Sequence, residues 1–480
     1  MAIATTSARR RLLPWLVAVA FFMEALDTTI LNTAIPVMAK ALEVAPLSMK
    51  AVLASYTLSL AVFIPVSGWI ADRFGTRRVF AAAIGLFTLG SICCGLSTGI
   101  HWLVASRILQ GLGGALMLPV GRLTMVKTFP KSELVRAMSF VALPGLIGPM
   151  LGPLAGGLIV THFHWSVIFF VNVPIGLAGL YLVYRHLPDF RETRSPFDTV
   201  GFILFGASIA LLSYVLEVFG EHTLSGREMA GLLAIAGMLL AGYAVNSARL
   251  THPLLRTVLF KVRTFRAAVS GSFFSRLGIG GVPFLFPLLY QAGLGFSATH
   301  AGLLMMVPAS AAFSLKLAMP RVLARFGYRS ILVSNTVMLG VMIMLFGTIG
   351  ADTPAWRIVI QLFLFGACAS LQYTSMNTLV YADVPDKDAG GASTIASTSQ
   401  QLSVSFAVAL ASLAASFFVP PALRSDPPAL IGGIHKAFLL LGALTIVSSL
   451  VFVRLRPDDG NVVSRRKVVM PAEAGADKVA

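Results

Sequence analysis

The chain has 480 residues, 56% of them hydrophobic and only 12% charged, about half the charge of an ordinary soluble domain. That composition excludes a soluble globular protein. The formal net charge of +17 does not signal nucleic-acid binding either, because Lys and Arg are scattered through short loops rather than gathered on one face. Apolar residues fall in blocks of roughly 20, each long enough to cross a hydrocarbon core of about 30 Å as a helix, and the blocks lack the alternation of barrel strands. The sequence reads as an all-α membrane protein.

Hydropathy predicts helices at 14 to 38, 49 to 71, 79 to 99, 103 to 126, 136 to 160, 166 to 185, 199 to 218, 229 to 248, 265 to 292, 299 to 319, 330 to 349, 355 to 379, 393 to 419 and 434 to 453. The first follows Arg9-Arg10-Arg11, as a secretion signal would, but no small-residue cleavage site follows, so it is expected to be retained. It carries Glu24 and Asp27, three residues apart and so on one helix face near the middle of the bilayer. Charges at that depth are costly and face a cavity or a partner. Two neighbouring carboxylates should not both ionise easily, which suits one of them to carrying a proton; the alternative is a structural pair locked to an arginine. Asn32 is a further candidate for a cavity wall.

The second helix runs into Asp72-Arg73-Phe74-Gly75-Thr76-Arg77-Arg78. Cys93 and Cys94 in the third and Cys368 in the twelfth lie in apolar segments, so they give no disulfide framework and read as small core residues. The fourth contains Arg107, which needs a counterion and finds a natural one in a first-helix carboxylate, with neutral Gln110 one turn away. Arg122, nearer the helix end, is expected to snorkel to headgroups. In the fifth, Gly148, Gly152 and Gly156 recur every four residues and make a smooth ridge for close packing, while Pro149 and Pro153 remove backbone donors and bend the helix. The helices at 199 to 218 and 229 to 248 are the least regular, with Glu217 and Asn246 near their ends. Arg276, Lys316, Gln400 and Gln401 are the polar residues of the later spans that could face a cavity.

Placing both termini in the cytoplasm puts 27 of the 37 Lys and Arg residues on that side, six on the other and four within spans, which requires an even number of helices. The Arg73-Phe74-Gly75 core returns as Arg325-Phe326-Gly327, 252 residues later, and Thr128-Phe129-Pro130 is matched by Asp383-Val384-Pro385, 255 residues later. Equal offsets at two landmarks imply a six-helix unit present twice in the same orientation. Such halves enclose a cavity near the midplane and rock against each other.

Four motifs then carry a family resemblance. Gly68-Trp69-Ile70-Ala71-Asp72-Arg73-Phe74-Gly75-Thr76-Arg77-Arg78 resembles the loop signature of the major facilitator superfamily, with Thr76 where a basic residue is usual. Leu26-Asp27-Thr28-Thr29-Ile30-Leu31-Asn32-Thr33-Ala34-Ile35-Pro36 is similar to the first-helix signature of its fourteen-helix drug:proton antiporters. Arg107-Ile108-Leu109-Gln110-Gly111-Leu112-Gly113-Gly114 resembles the fourth-helix motif. Gly148-Pro149-Met150-Leu151-Gly152-Pro153-Leu154-Ala155-Gly156-Gly157 resembles the fifth-helix antiporter motif, with Ser139 where its first glycine would stand.

The resemblance implies the major facilitator fold: a six-helix bundle over 1–198, two linker helices over 199–250, a second bundle over 251–455 and a cytoplasmic tail over 456–480. It implies Asp27 as the coupling residue, with the role of Glu24 less defined. It implies that the fifth helix seals the closed cavity at the interface between the halves, and that Asp72 latches the cytoplasmic gate through charge contacts and the N-terminus of a helix in the other half. Ala324 replaces that acid in the second copy.

The expected activity is export of small molecules by proton antiport, driven by the proton gradient without a cofactor. The setting is the bacterial inner membrane, and the protein is a monomer acting alone or with accessory efflux proteins. Deep in the spans four cations face two carboxylates, which favours an anionic or zwitterionic substrate; a dedicated exporter of an anionic metabolite or metal chelate, or an uptake symporter, is the alternative. No Gly-rich Lys loop for ATP and no metal spacing is present, so neither an enzyme nor a metal site is expected.

Overall fold

The structure is a computed structural model and describes residues 7–129, 131–191, 196–218, 225–251, 253–315, 319–385, 388–419 and 427–460. Its helices, in chain order, are α1 (Ser7–Ala41), α2 (Lys50–Phe74), α3 (Thr76–Gly95), α4 (Ile100–Thr128), α5 (Lys131–His162), α6 (Val167–Phe170), α7 (Asn172–His186), α8 (Thr199–Val218), α9 (Gly226–Arg249), α10 (Arg263–Ile279), α11 (Val282–Pro287), α12 (Ala298–Leu315), α13 (Met319–Phe326), α14 (Tyr328–Leu345), α15 (Ala355–Leu379), α16 (Ala389–Phe418) and α17 (Pro427–Val453). No strand occurs among the described residues. Among the described residues, each of the fourteen apolar segments lies mainly on a helix or a run of helices. Eleven helical stretches are long and apolar enough to cross a membrane, and Ile147–His162 and Thr199–Val215 are shorter apolar helices.

Local chemistry explains where the helices start and stop. Gly75 and Gly327 have φ of 93° and 74°, the left-handed region where a side chain is strained, and each separates two helices directly after an Arg-Phe pair. The backbone thus repeats at the positions where the sequence does. Ser225 starts α9 with a capping box: its hydroxyl accepts from the Glu228 amide at 3.3 Å, and the Glu228 carboxylate accepts from the Ser225 amide at 2.8 Å.

α8 and α9, the least regular segments in the sequence, are held by Asp198. Its Oδ1 accepts from the Gly201 amide (2.7 Å) and from Asn246 (3.0 Å), and its Oδ2 accepts from the Leu254 amide (3.1 Å). One carboxylate therefore ties the start of α8, the end of α9 and the following loop. α8 packs on α9, α2 and α16, which places this pair beside the line where the two bundles meet.

The apolar core is in three parts. One cluster contains the second half of α1 (Ile30 to Ala39), the start of α2, α11 and the ends of α16 and α17 remote from the chain termini, so both bundles contribute to it. Towards the end carrying the termini the core divides: one cluster draws only on α1 to α7 and the residue following α7, the other on α8 to α17 with Ala61 of α2. The halves therefore share apolar packing at one end and largely lack it at the other. Polar contacts between them agree: Gln291 donates to the Thr33 carbonyl (2.8 Å), Thr161 and Thr299 share a hydrogen bond (2.9 Å), and Ser412 donates to the Leu47 carbonyl (3.3 Å).

The glycines of α5 serve two surfaces. A Cβ on Gly148 would lie 2.8 Å from that of Ala25, one on Gly152 would strike the Thr29 hydroxyl, and one on Gly156 the Ile30 carbonyl, so this ridge packs on α1 of the same bundle. Thr29 and Thr33 bind across the contact, donating to the Gly148 and Pro153 carbonyls at 3.3 and 3.0 Å. The contact with the other bundle is made one position on: Gly157 faces the Ala298 carbonyl, and Gly302 of α12 faces that of Pro153. The fifth helix thus lies between the bundles, with its Gly148–Gly152–Gly156 ridge forming a seam to α1 within its own bundle and its Gly157 side meeting α12 of the other.

These packings predict that Gly156→Leu will destabilise the protein by at least about 1–3 kcal/mol, the usual cost of overpacking. Gly68→Ala, whose new methyl would meet nothing within 4 Å, should be neutral. Thermal unfolding in detergent would check both.

Candidate functional site

Below the shared apolar cluster lies a cavity of about 390 Å³, within the range of small-molecule sites. Leu53, Phe284 and Val408 belong to the shared cluster and form its closed end. Its polar wall comprises Glu24, Thr28 and Asn32 from α1, Tyr56 and Thr57 from α2, Arg107 from α4, and Gln400 and Gln401 from α16.

Asp27 and Arg107 form a buried ion pair, Nη1 to Oδ2 at 2.6 Å, with each residue 1% exposed. The remaining hydrogen-bonding capacity of the pair is largely filled. Asp27 Oδ1 accepts from Gln110 Nε2 (2.8 Å) and from Asn172 Nδ2 (3.0 Å), and Arg107 also donates to Gln110 Oε1 (2.5 Å) and to the Val52 carbonyl (3.4 Å). The Gln110 amide donates to Ser91 at 2.8 Å. The guanidinium lies 4.2 Å from the centre of the Tyr56 ring, on its face. Five helices, α1, α2, α3, α4 and α7, therefore converge on one salt bridge. Gly90 and Gly111 permit this approach: a Cβ on Gly90 would lie 2.6 Å from Gln110 Cα, and one on Gly111 would lie 2.6 Å from Ser59 Cβ.

Glu24 is the contrasting carboxyl. It is 5% exposed, lines the cavity, and its Oε2 has no hydrogen-bond partner. Its electrostatic neighbours are Arg122 of α4 and Asp27 one turn along α1, with Tyr56 of α2 also in reach. Arg122 itself is exposed, its guanidinium 5.8 Å from the Phe21 ring. The two acids that the sequence placed together thus differ in kind: Asp27 is consumed by a network and turned from the cavity, whereas Glu24 is unpaired and faces it.

Of the other residues expected in the cavity, Asn32 and Gln400 line it and Gln110 does not, because its side chain is spent on Asp27, Arg107 and Ser91. Arg276 is 5% exposed and is not among the lining residues. Its Nε donates to Ser272 (3.0 Å) and its guanidinium sits 4.0 Å from the Tyr373 ring centre. Lys316 lies outside the described residues. Asn172 and Ser91, which complete the ion-pair network, are not among the residues the sequence singles out; Asn172 stands alone as a polar residue in an apolar stretch, whereas Ser91 shares its helix with Thr88 and carries no such signal.

The loop between α2 and α3 makes its contacts within its own bundle. Asp72 pairs with Lys127 at the end of α4 (3.2 Å) rather than with the other half, since this end of the molecule lacks the shared core. Arg73 stacks over Trp69 and Phe74 at 5.1 and 5.6 Å. Asp189, beyond α7, accepts from the Arg77 amide (3.1 Å) and packs against Gly75, while Thr76 bonds to Pro188 and Phe190. Arg78 is exposed, and nothing beyond Gly68's own helical turn and chain neighbours lies within 4 Å of where its side chain would begin.

Comparison with known proteins agrees with this architecture. A family model described as Major Facilitator Superfamily matches residues 17–408 and 268–475. The chain is 40% identical over 444 residues to "Putative multidrug resistance protein MdtD" of Serratia proteamaculans (strain 568), covering 92% of this chain and 93% of that one. Among solved structures, a POT family transporter in complex with a thioalcohol-conjugated peptide aligns with a TM-score of 0.68 at 14% identity, covering 92% of this chain and 95% of that one. A D-xylose–proton symporter aligns with a TM-score of 0.67 at 16% identity, covering 93% and 98%.

The network predicts that Arg107→Gln, which strands the Asp27 charge in the core, will cost about 3–5 kcal/mol of stability. Adding Asp27→Asn should restore part of it. A double-mutant cycle by thermal unfolding would check this, and simple additivity would refute the coupling.

Proposed function

Because the chain belongs to the major facilitator superfamily, we propose that it exports small molecules by exchanging them for protons, with Glu24 as the group for which proton and substrate compete. As a member of that superfamily it is a multi-pass membrane transporter, and relatives named for multidrug resistance support an efflux role. The observation that carries the proton-exchange reading is the unpartnered Glu24 carboxyl in the cavity wall, beside an ion pair that is already complete.

In this reading the ionised Glu24 holds a cationic group of the substrate when the cavity faces one compartment. Proton uptake from the other side neutralises it and releases the substrate. The bilayer interior makes either occupied state cheaper than a bare carboxylate, and this gives the exchange its stoichiometric character. Asp27 and Arg107 are then the rigid floor against which the protonation change is registered: Tyr56 lies over the guanidinium and lines the same cavity as Glu24. The proton gradient is the energy source and no resident cofactor is invoked.

In this reading both termini lie in the cytoplasm and the membrane is a bacterial inner membrane, an orientation that the loop charge supports. The shared apolar cluster then lies at the outer face, so the conformation is closed outside and faces inward. The gate at Asp72 is unlatched in that state, which accounts for its pairing with Lys127. Small-molecule substrate, protons and lipid are the partners this mechanism needs, and a monomer suffices for it. A dedicated anion exporter has less support, because the cation that faces the cavity, Arg107, is neutralised by Asp27.

The test is Glu24→Gln in proteoliposomes carrying an imposed pH gradient. Gradient-driven accumulation should fall at least about tenfold, equivalent to 1.4 kcal/mol of lost coupling, with membrane insertion intact. Full gradient-driven transport by the variant would overturn the assignment.

A further inference from the structure

Glu24 and Arg276 stand 252 residues apart, the interval that separates Arg73-Phe74-Gly75 from Arg325-Phe326-Gly327. They occupy corresponding places on α1 and α10, the first helix of each bundle, and they carry opposite charge. Each is 5% exposed. Neither makes an ion pair among the described residues: Glu24 Oε2 has no hydrogen-bond partner and only the exposed Arg122 as a cation in its electrostatic neighbourhood, and Arg276 has the Ser272 hydroxyl and the Tyr373 ring but no carboxylate in ion-pair range. They do not pair with each other either. Arg107, the other deep arginine, shows what compensation looks like in this protein: a carboxylate at 2.6 Å and a shared amide.

An ionisable group buried within a membrane span without an ion-pair partner is costly, which makes each of these residues a candidate for contact with a ligand. Glu24 lines the cavity directly, while the next turn of α10 after Arg276, at Gly280, lines its opposite wall with Pro283 and Phe284. The cavity thus has an acid in the wall from one bundle and, one helical turn behind the wall from the other, a guanidinium.

We propose that the substrate is zwitterionic, its ammonium held by Glu24 and its carboxylate by Arg276, so that one small molecule bridges the two bundles. This assignment rests on the transporter reading and specifies its substrate class. A singly charged molecule would satisfy one wall and leave the other uncompensated, which gives selectivity by charge pattern rather than by shape. Arg276, with five donors in a planar fork and its face against Tyr373, is suited to bidentate capture of a carboxylate.

The test is equilibrium binding to the purified protein in nanodiscs, with no proton gradient present. The probes share one scaffold: a zwitterionic fluoroquinolone, its cationic methyl ester and its anionic N-acetyl derivative. The zwitterion should bind at least about tenfold more tightly than either relative. Arg276→Gln should reduce it to the level of the ester while leaving the ester unchanged, and Arg276→Lys should recover part of the loss. Glu24→Gln should bring the zwitterion to the level of the N-acetyl derivative.

Equal affinities, no binding of any probe, or an Arg276→Gln defect of the same size for all three would overturn the proposal. Unchanged thermal unfolding of Arg276→Gln separates a lost contact from a lost fold. Charge-selective binding in a protein that shows no gradient-driven transport would sink the efflux reading alone; charge-blind binding with intact coupled transport would sink this one alone.

Discussion

The Asp27–Arg107 pair is the constraint around which the first bundle is built. Two full charges in the interior of a membrane protein are tolerable only when each meets the other and their remaining donors and acceptors are filled. Here that condition recruits Gln110, Asn172, Ser91 and the Val52 carbonyl, one group from each surrounding element. Once those positions are fixed, the crossing of α3 on α4 and of α4 on α2 has little freedom left, and glycines appear where the backbones must come closest. The pair is therefore an organiser of geometry more than a source of net stability, because desolvation offsets most of its Coulomb gain.

A completed network has a functional corollary. A carboxylate that accepts from a guanidinium and two amides has its oxygens committed to holding helices together. The acid one turn before it carries no such burden. The proposed exchange therefore uses Glu24, just outside the first-helix signature that contains Asp27. The division also explains why two acids can share a helix face: one is screened by its own cation, which lowers the cost of ionising the other.

Much of the fold was legible in the sequence. Span positions follow from hydropathy, and the loop repeat around Gly75 and Gly327 is mirrored in backbone conformation, because left-handed φ demands glycine at both. The ion pair was legible too, since a deep arginine needs a deep acid and the first helix held the only nearby supply. What the sequence did not reveal is which acid is paired and which is free, because a spacing of three residues places both on one face and side-chain direction decides the rest. Nor could it show that Gln110 turns from the cavity, that the α5 glycines face α1, or that Asp198 pins the linker helices. Those depend on partners distant in the chain, and a single sequence carries no record of them.

In the proposed transport cycle, the three-part core gives the alternating motion a physical form. Where both bundles share apolar packing, separating them exposes side chains such as Phe284, Phe286 and Val408 to water, and this resists opening at that end. Where the clusters are separate, nothing comparable resists, and the loop acid Asp72 is left to pair locally. To switch, the protein must trade the shared cluster for new contacts at the other end, and the trade must be nearly balanced for the cycle to turn. A ligand that joins α1 to α10 through opposite charges acts at the fulcrum of that exchange, where it can bias the balance without contributing to either apolar seal. The charged groups of the cavity wall then govern coupling, and the seals govern leak, which lets substrate range drift while the closed states stay tight.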